Sequence, residues 1–118
     1  MQKHQLAIIA VVGLVTVGWL VLSAKPVAAG STTPKVVTVV INHFEFEPQT
    51  VTVNAGDTVE WKNEGGVPHT ATQDSPKPVF DSGTIQSGGT WRYVAQQKGA
   101  YSYSCTIHPY MKGKLVVQ

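Results

Sequence analysis

In the stretch CTIHPYM, Cys105, His108 and Met111 follow one another at intervals of three residues. Cys105 is the only cysteine of the 118-residue chain, and Met111 is the only methionine besides Met1. A thiolate, an imidazole and a thioether on one short loop are donors that suit copper. His69, 36 positions upstream in the run VPHTAT, offers a second imidazole if the fold brings it in. Two imidazoles, one thiolate and a weak axial thioether make the donor set of a type 1 copper centre, a one-electron site.

Each of these residues alone has a commonplace reading. A lone cysteine in a β-domain is usually an inert buried residue, a methionine is core filler, and a histidine is a surface group. An exported chain, however, exposes an accessible free thiol to oxidation, and the four donors together are far rarer than any one of them. Zinc would gain little from the thioether, and a binuclear copper centre would need a second bridging cysteine. A Cys105 nucleophile with a histidine base leaves Met111 without a role, so no enzyme is expected. A copper-binding or copper-delivery protein without an electron-transfer role would use the same ligands and stands as the alternative. His43, in INHFEFE, has no ligand partner and reads as a solvated residue, and His4 falls in the leading segment.

Positioning such donors is the task of the rest of the chain, which divides into three parts. Residues 1–29 carry an apolar run from Leu6 to Leu22 after Lys3, then SAKPVAAG, with small residues placed for cleavage before Gly30. This is a signal peptide or a retained N-terminal membrane anchor, and in both cases the remainder is exported, into the periplasm or an equivalent compartment. Residues 30–35 read as a flexible lead-in and 36–118 as the copper-binding domain. Taking away Lys3 and Lys25 with the leading segment leaves seven basic residues against seven acidic ones, which argues against nucleic acid as a partner. A domain this small needs a staple, and a single cysteine cannot make an internal disulfide, which leaves a metal.

From Val36 onward the hydrophobic pattern has period two. Strands are expected over Val36–Ile41, Thr50–Val53, Thr58–Asn63, Thr90–Ala95, Ala100–Cys105 and Lys112–Val117, with a short one beginning at His69. QDSPKPVFDSG, with two prolines, reads as a loop. Seven to eight short strands separated by Gly, Pro, Asn and Asp turns give an all-β, antiparallel Greek-key sandwich. In AYSYSC the residues Tyr101, Tyr103 and Cys105 face one side, so the thiol is delivered to the rim of a stiff scaffold.

With those residues in hand, the sequence resembles the cupredoxins, and among them the amicyanin, pseudoazurin and plastocyanin group. AGDTVEWKNEGGVPHT is similar to the strand, turn and first histidine of that family. KGAYSYSCTIHPYMKGKLVV is similar to its tyrosine-bearing strand, ligand loop and last strand. The resemblance implies one copper per chain, held by His69, Cys105, His108 and Met111, with two residues between successive loop ligands as in amicyanin. It implies transient docking of redox proteins, such as a c-type cytochrome or a periplasmic dehydrogenase, onto a monomer. Pro68, Pro109 and Tyr110 are expected to frame the exposed edge of His108. Asn63 is expected to brace the ligand loop. Thr70 stands where these relatives commonly have asparagine, and a hydroxyl bridge with fewer bonds is expected there. Ile107 stands where proline is common, and its N–H is expected to reach the Cys105 sulfur, so that Ile107→Pro would lower the reduction potential.

Overall fold

A computed structural model describes residues 33–118 and, in the leading segment, Gly13 and Gly18 alone. Both readings of residues 1–29, signal and anchor, lie outside the described residues. No described helix is long and apolar enough to cross a membrane.

Among the described residues, eight strands form two four-stranded sheets. They are β1 (Val36–Asn42), β2 (Glu45–Glu47), β3 (Thr50–Val53), β4 (Thr58–Asn63), β5 (Thr72–Gln73), β6 (Thr90–Val94), β7 (Gly99–Ser104) and β8 (Lys112–Val117). One sheet runs β2-β1-β4-β6 and the other β3-β8-β7-β5. The all-β sandwich expected from the sequence is present, but its pairing is mixed. β1 with β4 and β3 with β8 are parallel, while the other four pairs are antiparallel. Parallel neighbours cannot be joined by a hairpin, and here the chain between them visits the opposite sheet.

Alternation fixes which residues meet between the sheets. Val39 and Ile41 of β1, Val59 and Trp61 of β4, Tyr103 of β7, and Leu115 and Val117 of β8 are all buried. Their neighbours Thr38, Lys62, Ser102 and Lys114 face solvent. Each large apolar side chain so buried contributes about 1.5–3 kcal/mol. The centre is aromatic: Trp61 stacks on Phe80 at 5.5 Å and meets Tyr103 edge-on at 5.5 Å, and Phe46 meets Tyr103 at 4.7 Å. Phe80 comes from the proline-bearing loop, which supplies a core residue without forming a strand.

The β1–β2 hairpin has no counterpart in the strands expected from the sequence. Asn42 pairs with Glu45, leaving His43 and Phe44 as a two-residue turn with φ of 49° and 58°. Both central residues at positive φ define the type I′ geometry, which favours Asn-Gly. A bulky residue in that region is a genuine outlier, at a cost of about 1–3 kcal/mol.

Candidate metal centre

The site lies at one end of the sandwich, where β7 runs out into the 105–111 loop and the chain after β4 passes over it. The loop closes on itself at its base. Cys105 N–H donates to the Met111 carbonyl at 3.2 Å, and Met111 N–H donates to the His108 carbonyl at 2.9 Å. The spacing of three residues therefore produces a closed turn whose two ends are continuous with the paired strands β7 and β8. His69 comes from the other direction. Its backbone exchanges two hydrogen bonds with Ile85, which fixes it as an isolated bridge where the sequence suggested the start of a strand.

Across the 36-residue separation the fold brings these donors together. Cys105 Sγ lies 3.8 Å from His69 Nδ1 and 3.7 Å from His108 Nδ1, and the two Nδ1 atoms are 3.2 Å apart. A circle through the three atoms has a radius of about 2.1 Å, close to metal–nitrogen and metal–sulfur bond lengths. One ion at its centre can bond to all three, so the residues fit the trigonal part of the copper site. Met111 is buried at the base of the loop, next to these donors along the chain.

Burial sorts the two histidines. His69 is 1 % exposed, whereas His108 is half-buried. Burial pulls the His69 imidazole below its ordinary range, and the neighbouring His108 adds to the effect. A depressed value keeps His69 neutral, the form that binds metal.

Three groups around the donors stand differently from the sequence expectations. Asn63, fully buried, does not reach the 105–111 loop. Its Nδ2 donates to the carbonyls of Val67 and Ile85, and its Oδ1 accepts from Gly65 N–H, so it braces the segment that carries His69. The N–H donor that the structure gives the Cys105 sulfur is Thr70, at 3.3 Å. No bond from Ile107 reaches the sulfur among the described residues, and its side chain is exposed, so Ile107→Pro has no such bond to remove.

Thr70 is better connected than a substitute for asparagine was expected to be. Its Oγ1 accepts from Thr106 N–H at 2.8 Å and lies 3.1 Å from both Thr106 Oγ1 and Thr72 Oγ1, the latter donating to Asp81 Oδ1. One hydroxyl thus ties the His69 segment to the ligand loop. Thr70→Ala strands the Thr106 amide and is expected to cost about 1 kcal/mol. The sulfur's donor is the Thr70 backbone, so the site's spectrum should keep its band positions; denaturant unfolding and the spectrum check the two halves.

Pro68, Pro109 and Tyr110 are exposed, as are Val67 and Ile107, and the Tyr110 ring meets that of His108 edge-on at 6.1 Å. Phe44, whose ring meets both imidazoles from the β1–β2 turn, carries no mark in the sequence. Only a strand assignment for Glu45–Glu47 could have found it.

The chain is similar to known proteins over most of its length. Residues 12–117 fit the family model of the cupredoxin-like domain. The chain is 32% identical over 101 residues to amicyanin of Paracoccus versutus, covering 83% of this chain and 76% of that one. It is 34% identical over 93 residues to amicyanin-alpha of Methylorubrum extorquens, covering 76% and 74%. A solved copper(I) form of an amicyanin variant superposes with a TM-score of 0.66 at 28% identity, over 70% of this chain and 82% of that one.

Proposed function

This chain belongs to the family of cupredoxin-like domains, and from that premise we propose that it carries single electrons between redox proteins through one bound copper ion. The observation that supports this most directly is the 3.2–3.8 Å triangle of His69, Cys105 and His108 donor atoms at one tip of the β-sandwich. Met111 completes the proposed ligand set. Copper held there would supply a Cu(I)/Cu(II) couple.

The chain's own residues account for the rest. Cys105, buried, gives the thiolate, and the Thr70 N–H beside it stabilises the electron-rich sulfur. The closed 105–111 loop and the Thr70–Thr106 bond hold the donors in place, so little moves when charge changes. Buried His69 anchors from within, and half-buried His108 presents an edge toward solvent. Around that edge, Val67, Pro68, Ile107, Pro109 and Tyr110 form an exposed, largely apolar rim, suited to brief contact with a redox partner such as a c-type cytochrome or a periplasmic dehydrogenase. The near-neutral charge of residues 30–118 gives little long-range steering. Residues 1–29 are proposed to carry the domain across a membrane, as a signal or as a tether. The amicyanin relatives support the carrier reading over an enzymatic one.

The test is the visible spectrum of the copper-loaded, oxidised domain, followed by mixing the reduced form with an oxidised cytochrome. An intense blue or green band with rapid one-electron oxidation is expected. Copper uptake without colour, with metal passed readily to a chelator, would favour copper delivery instead.

A further inference from the structure

Phe44 lies outside the ligand set, yet its ring sits against both imidazoles. Its centroid is 5.7 Å from that of His69 and 5.1 Å from that of His108, with interplanar angles of 82° and 83°. These are edge-to-face contacts of the favoured kind. The residue remains 44% exposed, so burial of apolar surface accounts for only part of its placement. The backbone that holds it is unfavourable: φ is 49° at His43 and 58° at Phe44, where glycine or asparagine would form the same turn without strain. Strain kept at a turn tip, for a half-exposed aromatic ring, directs attention to what the ring touches.

Two grooves meet at this ring. One of about 370 Å³ runs past Phe46, Tyr110 and Met111, and one of about 260 Å³ runs past Val67 and His69. Phe44 lines both. His43 lines both beside it, and the Phe44 ring reaches the rings of both His69 and His108 from there.

We infer that Phe44 is a positioning residue for the copper centre, capping His69 and His108 so that their imidazoles stay oriented toward the metal and water is kept from the ring faces. The packing is a property of the chain alone; its consequence for the metal rests on the carrier reading above. The strained turn carries the ring to that point.

Four proteins decide the matter: wild type, Phe44→Gly, Phe44→Tyr and His43→Asn. Glycine suits the turn and removes the ring. Tyrosine keeps the ring. Asparagine eases the turn while leaving Phe44 in place. In metal-free protein, NMR signals of the His69 and His108 rings are expected to move in Phe44→Gly and to stay near wild type in the other two. In the copper(I) form, release to a chelator such as bathocuproine disulfonate is expected to be about tenfold faster in Phe44→Gly and within about twofold of wild type in the others, as loss of two edge-to-face contacts predicts. Unchanged ring signals and an unchanged release rate in Phe44→Gly would overturn the inference. So would a His43→Asn protein that behaves like Phe44→Gly, because turn conformation and not the ring would then be responsible. A colourless wild type would sink the carrier reading, while the metal-free ring signals would still decide for or against Phe44.

Discussion

Cys105→Ser is expected to give a folded protein that has lost its intense visible absorption and most of its affinity for copper. The thiolate is the strong donor of the set, and the intense band arises from charge transfer between sulfur and metal, which an alkoxyl oxygen does not reproduce. Removing groups that merely orient a ligand costs metal sites about 10–100-fold in affinity, so removing the anchoring ligand should cost more than about 100-fold. The fold should survive, because the interactions that close the loop are main-chain: Cys105 N–H to the Met111 carbonyl and Met111 N–H to the His108 carbonyl. A serine hydroxyl is smaller than the thiol and can accept the Thr70 N–H that now points at the sulfur. Titration with copper, the visible spectrum and the melting temperature of the metal-free protein separate the effects. A band of undiminished intensity in the serine variant would mean that copper is anchored elsewhere, and the site as described would fall.

How far the sequence discloses this molecule depends on whether a feature leaves a local mark. The strands β1, β3, β4 and β8 are legible because their side chains alternate, and the turns that bound them carry glycine, proline, asparagine or aspartate. Cys105, His108 and Met111 are legible because two of them are the only residues of their kind in the domain and all three lie on one loop. The β1–β2 hairpin is hidden for the opposite reason. Its turn is His43-Phe44, without the Asn-Gly signal that its type I′ geometry favours, and β2 is only three residues long. Missing the hairpin also hides Phe44, since nothing else ties that residue to the histidines. Phe80 is concealed in a loop whose prolines rule out a strand but not a contribution to the core. Hydrogen bonds across the fold are harder still to foresee. Asn63 looked able to reach the 105–111 loop and instead holds Val67 and Ile85. The sulfur takes its amide from Thr70 and not from Ile107. Spacing along the chain carries no information on which of two nearby amides faces a given atom; only the packed sandwich decides that.

Gly113→Ala is expected to be the most destabilising small substitution in the domain and to disturb the copper site without touching a ligand. Gly113 on β8 pairs with Tyr103 on β7, and the tyrosine ring lies across it. A Cβ at position 113 would fall 2.6 Å from Tyr103 Oη and 2.7 Å from Cε2, and closer still to Cζ. Contacts this short require something to move. The ring cannot easily do so: it is fully buried and flanked by Phe46, Trp61 and Phe80 at 4.7, 5.5 and 5.8 Å. Burial pushes its hydroxyl pKa up to about 12, against the smaller opposing effect of the Trp61 side chain beside it. The strain must therefore pass into β7 and β8, which lead directly into Cys105 and out of Met111. Overpacking a well-filled core costs about 1–3 kcal/mol and sometimes more, and about 3 kcal/mol is expected here. For a domain of this size that lowers the melting temperature by more than about 12 °C. The double variant Gly113→Ala with Tyr103→Leu should recover part of the loss, because the smaller side chain leaves room for the methyl group; the two single effects should then add to more than the pair. The absorption band of the copper-loaded alanine variant should shift or broaden as the loop's two ends are displaced. A melting temperature within about 2 °C of wild type would mean that the ring is free to yield, and that the sandwich beneath the ligand loop is softer than its packing implies.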